Sequence, residues 1–157
     1  MIQRLELCEN SMTDNEKLYA LIARLNDTPV LSKREAERLS EKAREGLLEK
    51  LLAGQTYGEA MGGLSILNQP EAEFRAELKS VDNDVGRQVE IVNEGLDLWF
   101  DKGEIPPPYY AWRIAVILSK SKRKDEERAF LKAWCKHFGK VRGGRYASLA
   151  ERKRKLG

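Results

Sequence analysis

The chain has 157 residues, with 41% hydrophobic and 34% charged side chains, a length that fits one domain and a composition apolar enough to bury a core, which excludes wholesale disorder. No apolar run approaches the ~20 residues of a membrane-spanning helix. The start, Met1-Ile2-Gln3-Arg4-Leu5-Glu6, is no signal peptide, and two distant cysteines, Cys8 and Cys135, imply no disulfide framework. A cytoplasmic protein without membrane contact is expected.

The net charge of +3 is unevenly placed. Residues 1–100 carry 12 basic and 19 acidic side chains, net −7, and residues 101–157 carry 16 and 6, net +10. Three readings follow: attraction between the two parts within the fold, a head-to-tail contact between copies, or an acidic or nucleic-acid partner.

Ile2, Leu5, Leu7 and Cys8 lean toward a short helix. Thr13-x-x-Glu16 is a capping box, each side chain placed to satisfy an orphan N–H. Leu18, Leu21, Ile22 and Leu25 follow at helical spacing until Asn26-Asp27-Thr28-Pro29 stops them. Ser32-x-x-Glu35 is a second box and opens one helix from Lys33 to Ala53, with Ala36, Leu39, Ala43, Leu47, Leu48, Leu51 and Leu52 on a broad face. Gly46 weakens that helix by about 1 kcal/mol relative to Ala, and Gly54 closes it.

Thr56-x-x-Glu59 predicts a third capped helix carrying Tyr57, Ala60, Met61, Leu64, Ile66 and Leu67. The stretch Leu52 to Ile66 resembles the first helix and turn of a helix-turn-helix DNA reader. The next helix opens with Pro70-Glu71-Ala72-Glu73, however, and its acids would face phosphates. A capped helix after a glycine turn is therefore the preferred reading. Phe74, Leu78 and Val81 form the apolar side of the helix after Pro70, and Ser80 to Asp84 interrupts or turns it. Val85, Val89, Val92, Leu96 and Trp99 then recur at alternating steps of four and three, either a central core helix, the favoured reading, or half of a dimer seam.

Residues Gly103 to Phe138 read as two antiparallel helices behind a proline stop. Pro106-Pro107-Pro108 stiffens the approach, and Pro108 suits a first-turn position. Tyr110, Ala111, Ile114, Ile117 and Leu118 give one apolar face. Lys120, Lys122, Arg123 and Lys124 suit its C-terminus, and Asp125-Glu126-Glu127 the next N-terminus. Phe130, Leu131, Trp134 and Phe138 give the second stripe. The pattern Tyr110-x-x-x-Ile114-Ala115-x-x-Leu118, a basic turn, then Glu127-x-x-Phe130-Leu131-x-x-Trp134 resembles a divergent tetratricopeptide-type helix pair over about residues 105–138, one repeat of roughly 34 residues. Ala115 takes the small position where the helices meet. Glu127 departs from the family, which has a small residue there, and Ala111 from a frequent Trp. The resemblance implies a protein-binding or scaffolding role.

After Phe138, Gly143 and Gly144 mark a turn whose N–H groups, with Arg142 and Arg145, suit an anion. Residues 146–157 read as a basic tail or last helix with Tyr146, Leu149, Ala150 and Leu156 against Arg152, Lys153, Arg154 and Lys155. Catalytic patterns are absent from the sequence. His137 is the one histidine, Cys135 and His137 diverge on a helix, and no phosphate loop or nucleophile elbow is present. No enzyme, cofactor or metal is expected.

The expectation is a single all-α domain over residues 1–157, of six or seven helices, with possible sub-lobes 1–68 and 70–157. Its expected function is a small helical protein-interaction module, with self-association as one option, that binds a protein partner through Tyr109, Tyr110, Trp112 and Arg113, since aromatics and Arg dominate interface hot spots. On that reading, Ala at Trp112 and Arg113 leaves the fold intact and abolishes partner capture. The alternative is nucleic-acid binding by the basic C-terminal third, through Lys140, Arg142, Arg145, Arg152 and Arg154.

Overall fold

Capping side chains place the first helices. In the computed structural model, which describes residues 12–56 and 70–157, helix α1 spans Asp14–Asp27 and begins where Thr13 Oγ1 accepts the Glu16 N–H at 3.2 Å. Ser32 caps α2, Lys33–Glu45, by accepting the Glu35 N–H at 3.1 Å. Each hydroxyl satisfies a donor that the first helical turn leaves without an intrahelical partner. Each also donates to the box glutamate, at 3.2 Å from Thr13 and 3.0 Å from Ser32.

The expected single helix from Lys33 to Ala53 is broken. It stops at Glu45, and a six-residue α3, Leu47–Leu52, follows Gly46. Gly46 sits at φ −88°, ψ −1°, the sparsely used region between helix and strand where one helix ends and another begins. The expected apolar face divides with it. Ala36 is buried, whereas Leu48, Leu51 and Leu52 are 68%, 37% and 79% exposed; among the described residues α3 packs chiefly on α2. The elements expected over residues 2–8 and 57–67, and with them most of the helix-turn-helix-like stretch, lie outside the described residues.

Beyond Pro70 come α4, Glu71–Val81, and α5, Val85–Lys102. The turn between them is fixed by Asp84, whose carboxylate accepts the Arg87 N–H at 3.0 Å, and by Gln88, whose buried amide donates to the Val81 carbonyl at 2.9 Å. Then follow α6, Pro108–Lys120, α7, Lys124–Phe138, and α8, Gly144–Leu156. The described residues contain no strand, and the protein is an all-α helical array.

α5 lies at its centre, packed against α1, α2, α4 and α6. Its stripe Val85, Val89, Val92 and Leu96 is buried within this chain, so it is core rather than a free seam. α7 packs on α1, α6 and α8 and buries Phe130, Leu131, Trp134 and Phe138, side chains that contribute roughly 1.5–3 kcal/mol each when fully buried. Trp134 and Phe138 rings lie 4.5 Å apart, and Trp99 meets Phe138 edge-on at 5.6 Å, closing α5 onto α7. α8 covers the α6–α7 hairpin with Leu149 buried.

Gly103 ends α5 in the left-handed conformation, φ 67°, with its N–H on the Trp99 carbonyl at 2.9 Å. A Cβ there would stand 2.1 Å from the Ala36 carbonyl oxygen, so α2 crosses α5 only because position 103 has no side chain. Gly103→Ala combines a left-handed backbone with a clash against rigid backbone and is expected to lower stability by at least about 2 kcal/mol. Chemical denaturation measures it, and a midpoint unchanged from wild type would show that α2 does not depend on this approach.

Candidate interaction surfaces

The four aromatic and basic residues singled out on the proline-led helix do not share one exposure. Tyr110 and Arg113 face inward, 3% and 7% exposed. Arg113 is held by the α4–α5 turn. Its Nε donates to the Asp82 carbonyl at 2.9 Å, and its Nη2 to the same oxygen at 2.6 Å and to Asn83 Oδ1 at 3.0 Å. The Asp82 carboxylate adds an ion pair at 3.1 Å and accepts the Tyr109 hydroxyl at 2.7 Å. Burial, then Asp82, raises the Tyr109 phenol above its ordinary pKa, and burial pushes Tyr110 up to about 12. Tyr109 and Trp112 are half-buried, and the Arg145 guanidinium of α8 lies over both rings, 5.0 and 4.0 Å from their centroids. This aromatic pair therefore anchors the last helix. Beside it, the Tyr146 hydroxyl donates to the Pro106 carbonyl, and its pKa is pushed up to about 12 by burial.

The basic residues also divide. Arg152 reaches the buried Glu127 of α7 at 3.7 Å. Burial pushes the Glu127 carboxyl up, and Arg152 opposes that shift. Arg154 pairs with Glu151 on its own helix, and Arg145 is stacked as described. Lys140 and Arg142 are both exposed in the α7–α8 connection, and no ion pair joins either among the described residues. Arg113–Asp82 joins the acidic and basic parts of the chain. Lys17–Glu90, Arg24–Asp97 and Arg87–Glu77 lie within the acidic part, and Arg123–Glu126, Arg128–Asp125 and Arg152–Glu127 within the basic one.

Part of the surface charge lies beyond the residues singled out from the sequence. Lys124, Arg128, Lys132 and Lys136 repeat at four-residue steps along α7 and are all exposed. Between α7 and α8 runs a groove of about 460 Å³ lined by Cys135, Lys140, Lys153 and Arg154. Burial raises the Cys135 thiol, with Lys153 opposing. Lys132 was not singled out and Lys153 was read only within the basic tail, because which faces of α7 and α8 stay exposed is decided by their packing on each other.

The sequence also gave no warning of an apolar cleft of about 840 Å³ between the start of α2 and the end of α7. Val30, Leu31 and Ala36 form one wall, and Trp99, Ile105, Phe138 and Val141 complete it. Lys33, Lys136 and Lys140 stand in its lining against one acid, Glu37. His137, also in the lining, donates from Nε2 to the Leu25 carbonyl at 2.7 Å. Desolvation lowers its pKa, which favours the neutral ring. Cys135, Gly139 and Lys140 line both the cleft and the basic groove, so the two meet at the end of α7.

Among the described residues no cluster of three or more His, Cys, Asp or Glu is arranged to hold a metal ion, and no helix is long and apolar enough to cross a membrane. Comparison with known proteins finds no matching family model, curated protein or solved structure. Function is therefore argued from the surfaces alone.

Arg113 is now read as a tie between α6 and the α4–α5 turn, so the expectation that its loss leaves the fold intact changes. Arg113→Ala removes a buried charged donor and leaves the Asp82 carbonyl short of partners, a loss of about 2 kcal/mol. Urea unfolding of the single variants separates the roles: Arg113→Ala is expected to shift the midpoint well beyond Trp112→Ala, and the reverse order would place the anchor at the tryptophan.

Proposed function

We propose that this chain is a small helical protein-interaction module whose cleft holds an amphipathic segment of a partner, apolar side chains inward and acidic ones toward Lys33, Lys136 and Lys140. The observation that carries this reading is the cleft itself: an apolar interior open at the surface, with Val30 and Ile105 47% and 44% exposed and cations outnumbering the one acid in its lining. An apolar trough with charged edges is how a groove recognises one face of a helix and selects its flanking charges. We keep the tetratricopeptide-like reading of α6–α7 as part of this proposal. Burial of Tyr110, Ile114, Ala115, Leu118, Phe130, Leu131 and Trp134 supports it, because these are the positions that pattern needs apolar or small. Glu127 remains a departure, accommodated here by Arg152.

The test uses a fluorescein-labelled peptide of about 16 residues, long enough to form helix on binding, with Leu and Phe on one face and Glu on the other, and its lysine-substituted counterpart. The acidic peptide is expected to bind at least about tenfold tighter than the basic one, a difference of about 1.4 kcal/mol. Val30→Asp with Ile105→Asp, both exposed positions, is expected to abolish binding with the fold retained. Equal binding by the double variant, or a preference for the lysine peptide, rules the reading out.

A second reading, binding of nucleic acid, is favoured by Lys124, Lys132, Lys140 and Lys153, exposed cations of α7 and of the groove beside it that no ion pair engages among the described residues. Contacts from Lys124, Lys132, Lys140 and Lys153 would go to phosphates and be blind to sequence. Titrating a labelled DNA duplex at several salt concentrations tests it. Lys132→Glu with Lys153→Glu is expected to weaken binding and to flatten the salt slope by about two. These positions replace Arg152, which is committed to Glu127. A duplex that fails to bind even at low salt eliminates this reading.

A further inference from the structure

His137 is the one histidine of the chain, and it stands in the lining of the cleft. Histidine is the side chain whose charge ordinarily changes between about pH 5 and pH 8. Its ring is hydrogen-bonded at one nitrogen only. The Leu25 carbonyl can only accept, so Nε2, 2.7 Å from it, carries a proton. Nδ1 is buried and has no hydrogen-bond partner among the described residues. In the neutral ring Nδ1 is therefore a bare acceptor, and a second proton has only that atom to go to. Phe100 and Phe138 pack on the ring, with centroids 5.6 and 6.0 Å away. Taking up a proton leaves the Leu25 bond in place, so it adds a charge at the cleft without releasing the side chain.

The surroundings do not favour that charge. Burial opposes it most, the Leu25 bond favours it, and Lys136 beside it on α7 opposes it. The α7–α8 connection adds Lys140 to the same lining, and α2 adds Lys33 and one acid, Glu37. α1 brings Arg24, whose guanidinium lies over Phe100 at 5.8 Å and is paired with Asp97 of α5 at 2.7 Å. Asp27 ends α1, and Asp101 and Lys102 end α5. No carboxylate among the described residues is bonded to the ring. An acidic segment laid along Lys33, Lys136 and Lys140 supplies the negative charge that is missing there.

We propose that His137 couples the cleft to pH: docking of an acidic segment draws a proton onto Nδ1, so affinity for acidic partners rises as pH falls. This rests on the cleft reading above and adds its regulation. Coupling between two binding events is reciprocal, so if docked acids favour the imidazolium, the imidazolium favours the docked acids by the same factor. Burial and Lys136 hold the pKa of the free ring below its ordinary value, and nearby carboxylates raise it. Affinity is thus level above the pKa of the occupied state, climbs as pH falls between the two values, and is level again below that of the free ring.

The experiment is calorimetric titration of the full chain with the unlabelled acidic peptide at about pH 7.5 and about pH 5.5, a span in which histidine titrates and glutamates stay charged. Wild type is expected to bind at least about fivefold tighter at the lower pH, the low end of ordinary coupling. His137→Gln retains an amide donor for the Leu25 carbonyl but cannot titrate, and is expected to bind equally at both. A peptide with glutamine in place of each glutamate is expected to bind wild type equally at both. In wild type alone, the single imidazole C–H resonance, followed by NMR across pH, is expected to titrate at higher pH when the acidic peptide is present. Level affinity in wild type, an equal climb in His137→Gln or for the glutamine peptide, or a resonance whose midpoint the peptide leaves unmoved overturns the proposal. In each of those results the peptide still binds and the cleft reading stands. A chain that binds no acidic peptide at either pH defeats both.

Discussion

The fold depends on burying α5 from several sides at once. In a chain with 34% charged residues, most helices have one apolar stripe to offer, and a stripe is stable only against another. α5 is the exception. Val85, Val89, Ile91, Val92 and Leu96 all lie at 9% exposure or less, and α1, α2, α4 and α6 each find a partner on it. Gly86 and Gly95 are buried on the same helix, and at Gly86 a Cβ would meet the Asp14 carboxylate of α1 at 2.1 Å. Small residues on α5 thus let neighbours approach, and large ones fill between them.

The second half is assembled on α7, and polar ties set its register. Phe130, Trp134 and Phe138 give apolar attraction, which is non-directional. Direction comes from groups with fewer ways to pair. Arg113 fits the Asp82 carbonyl and the Asn83 amide together. Glu127 has Arg152 as its ion-pair partner. Arg145 lies over Tyr109 and Trp112, and Arg128 reaches the Leu156 carbonyl at 3.1 Å. A carboxylate such as Glu127, 3% exposed, gains little net stability from burial with one cation, yet is costly to bury without it. Its effect is to make one placement of α8 better than its slipped alternatives.

What was legible in the sequence follows from that division. Features that act within a few residues could be read: the Thr13 and Ser32 caps, the start of α6 at Pro108, the basic turn before α7, and the stripe Phe130, Leu131, Trp134, Phe138. The extent of the helix after Ser32 was not, since a single glycine inside a helical pattern is usually tolerated and whether Gly46 interrupts is decided by what packs on either side. Nor were the roles of Arg113 and Arg145. Both looked like surface cations, and each is used by a partner about 30 residues away, a pairing no local pattern encodes. The cleft was illegible for the same reason. Its walls come from residues 30–40, 99–105 and 135–141, three stretches that share no motif.

Under the proposed interaction reading, the charge asymmetry is what would link this architecture to a partner. Had the fold used it internally, the acids of residues 1–100 would be paired with the cations of 101–157. Instead Glu90 holds Lys17 and Arg87, Asp97 holds Arg24, and Glu77 holds Arg87, all within the acidic part, while Asp82 reaches across to Arg113. Locally paired charges lower the cost of placing helices side by side but leave each part's net sign unchanged. The two signs therefore persist at the surface, where they act over a Debye length of about 8 Å at physiological salt. That range is too short to steer from far away and long enough to align a docking helix. The apolar cleft supplies attraction without orientation, and the lysines at its edge supply orientation with little affinity. On the proposed reading, a segment with both an apolar face and an acidic flank satisfies the two together.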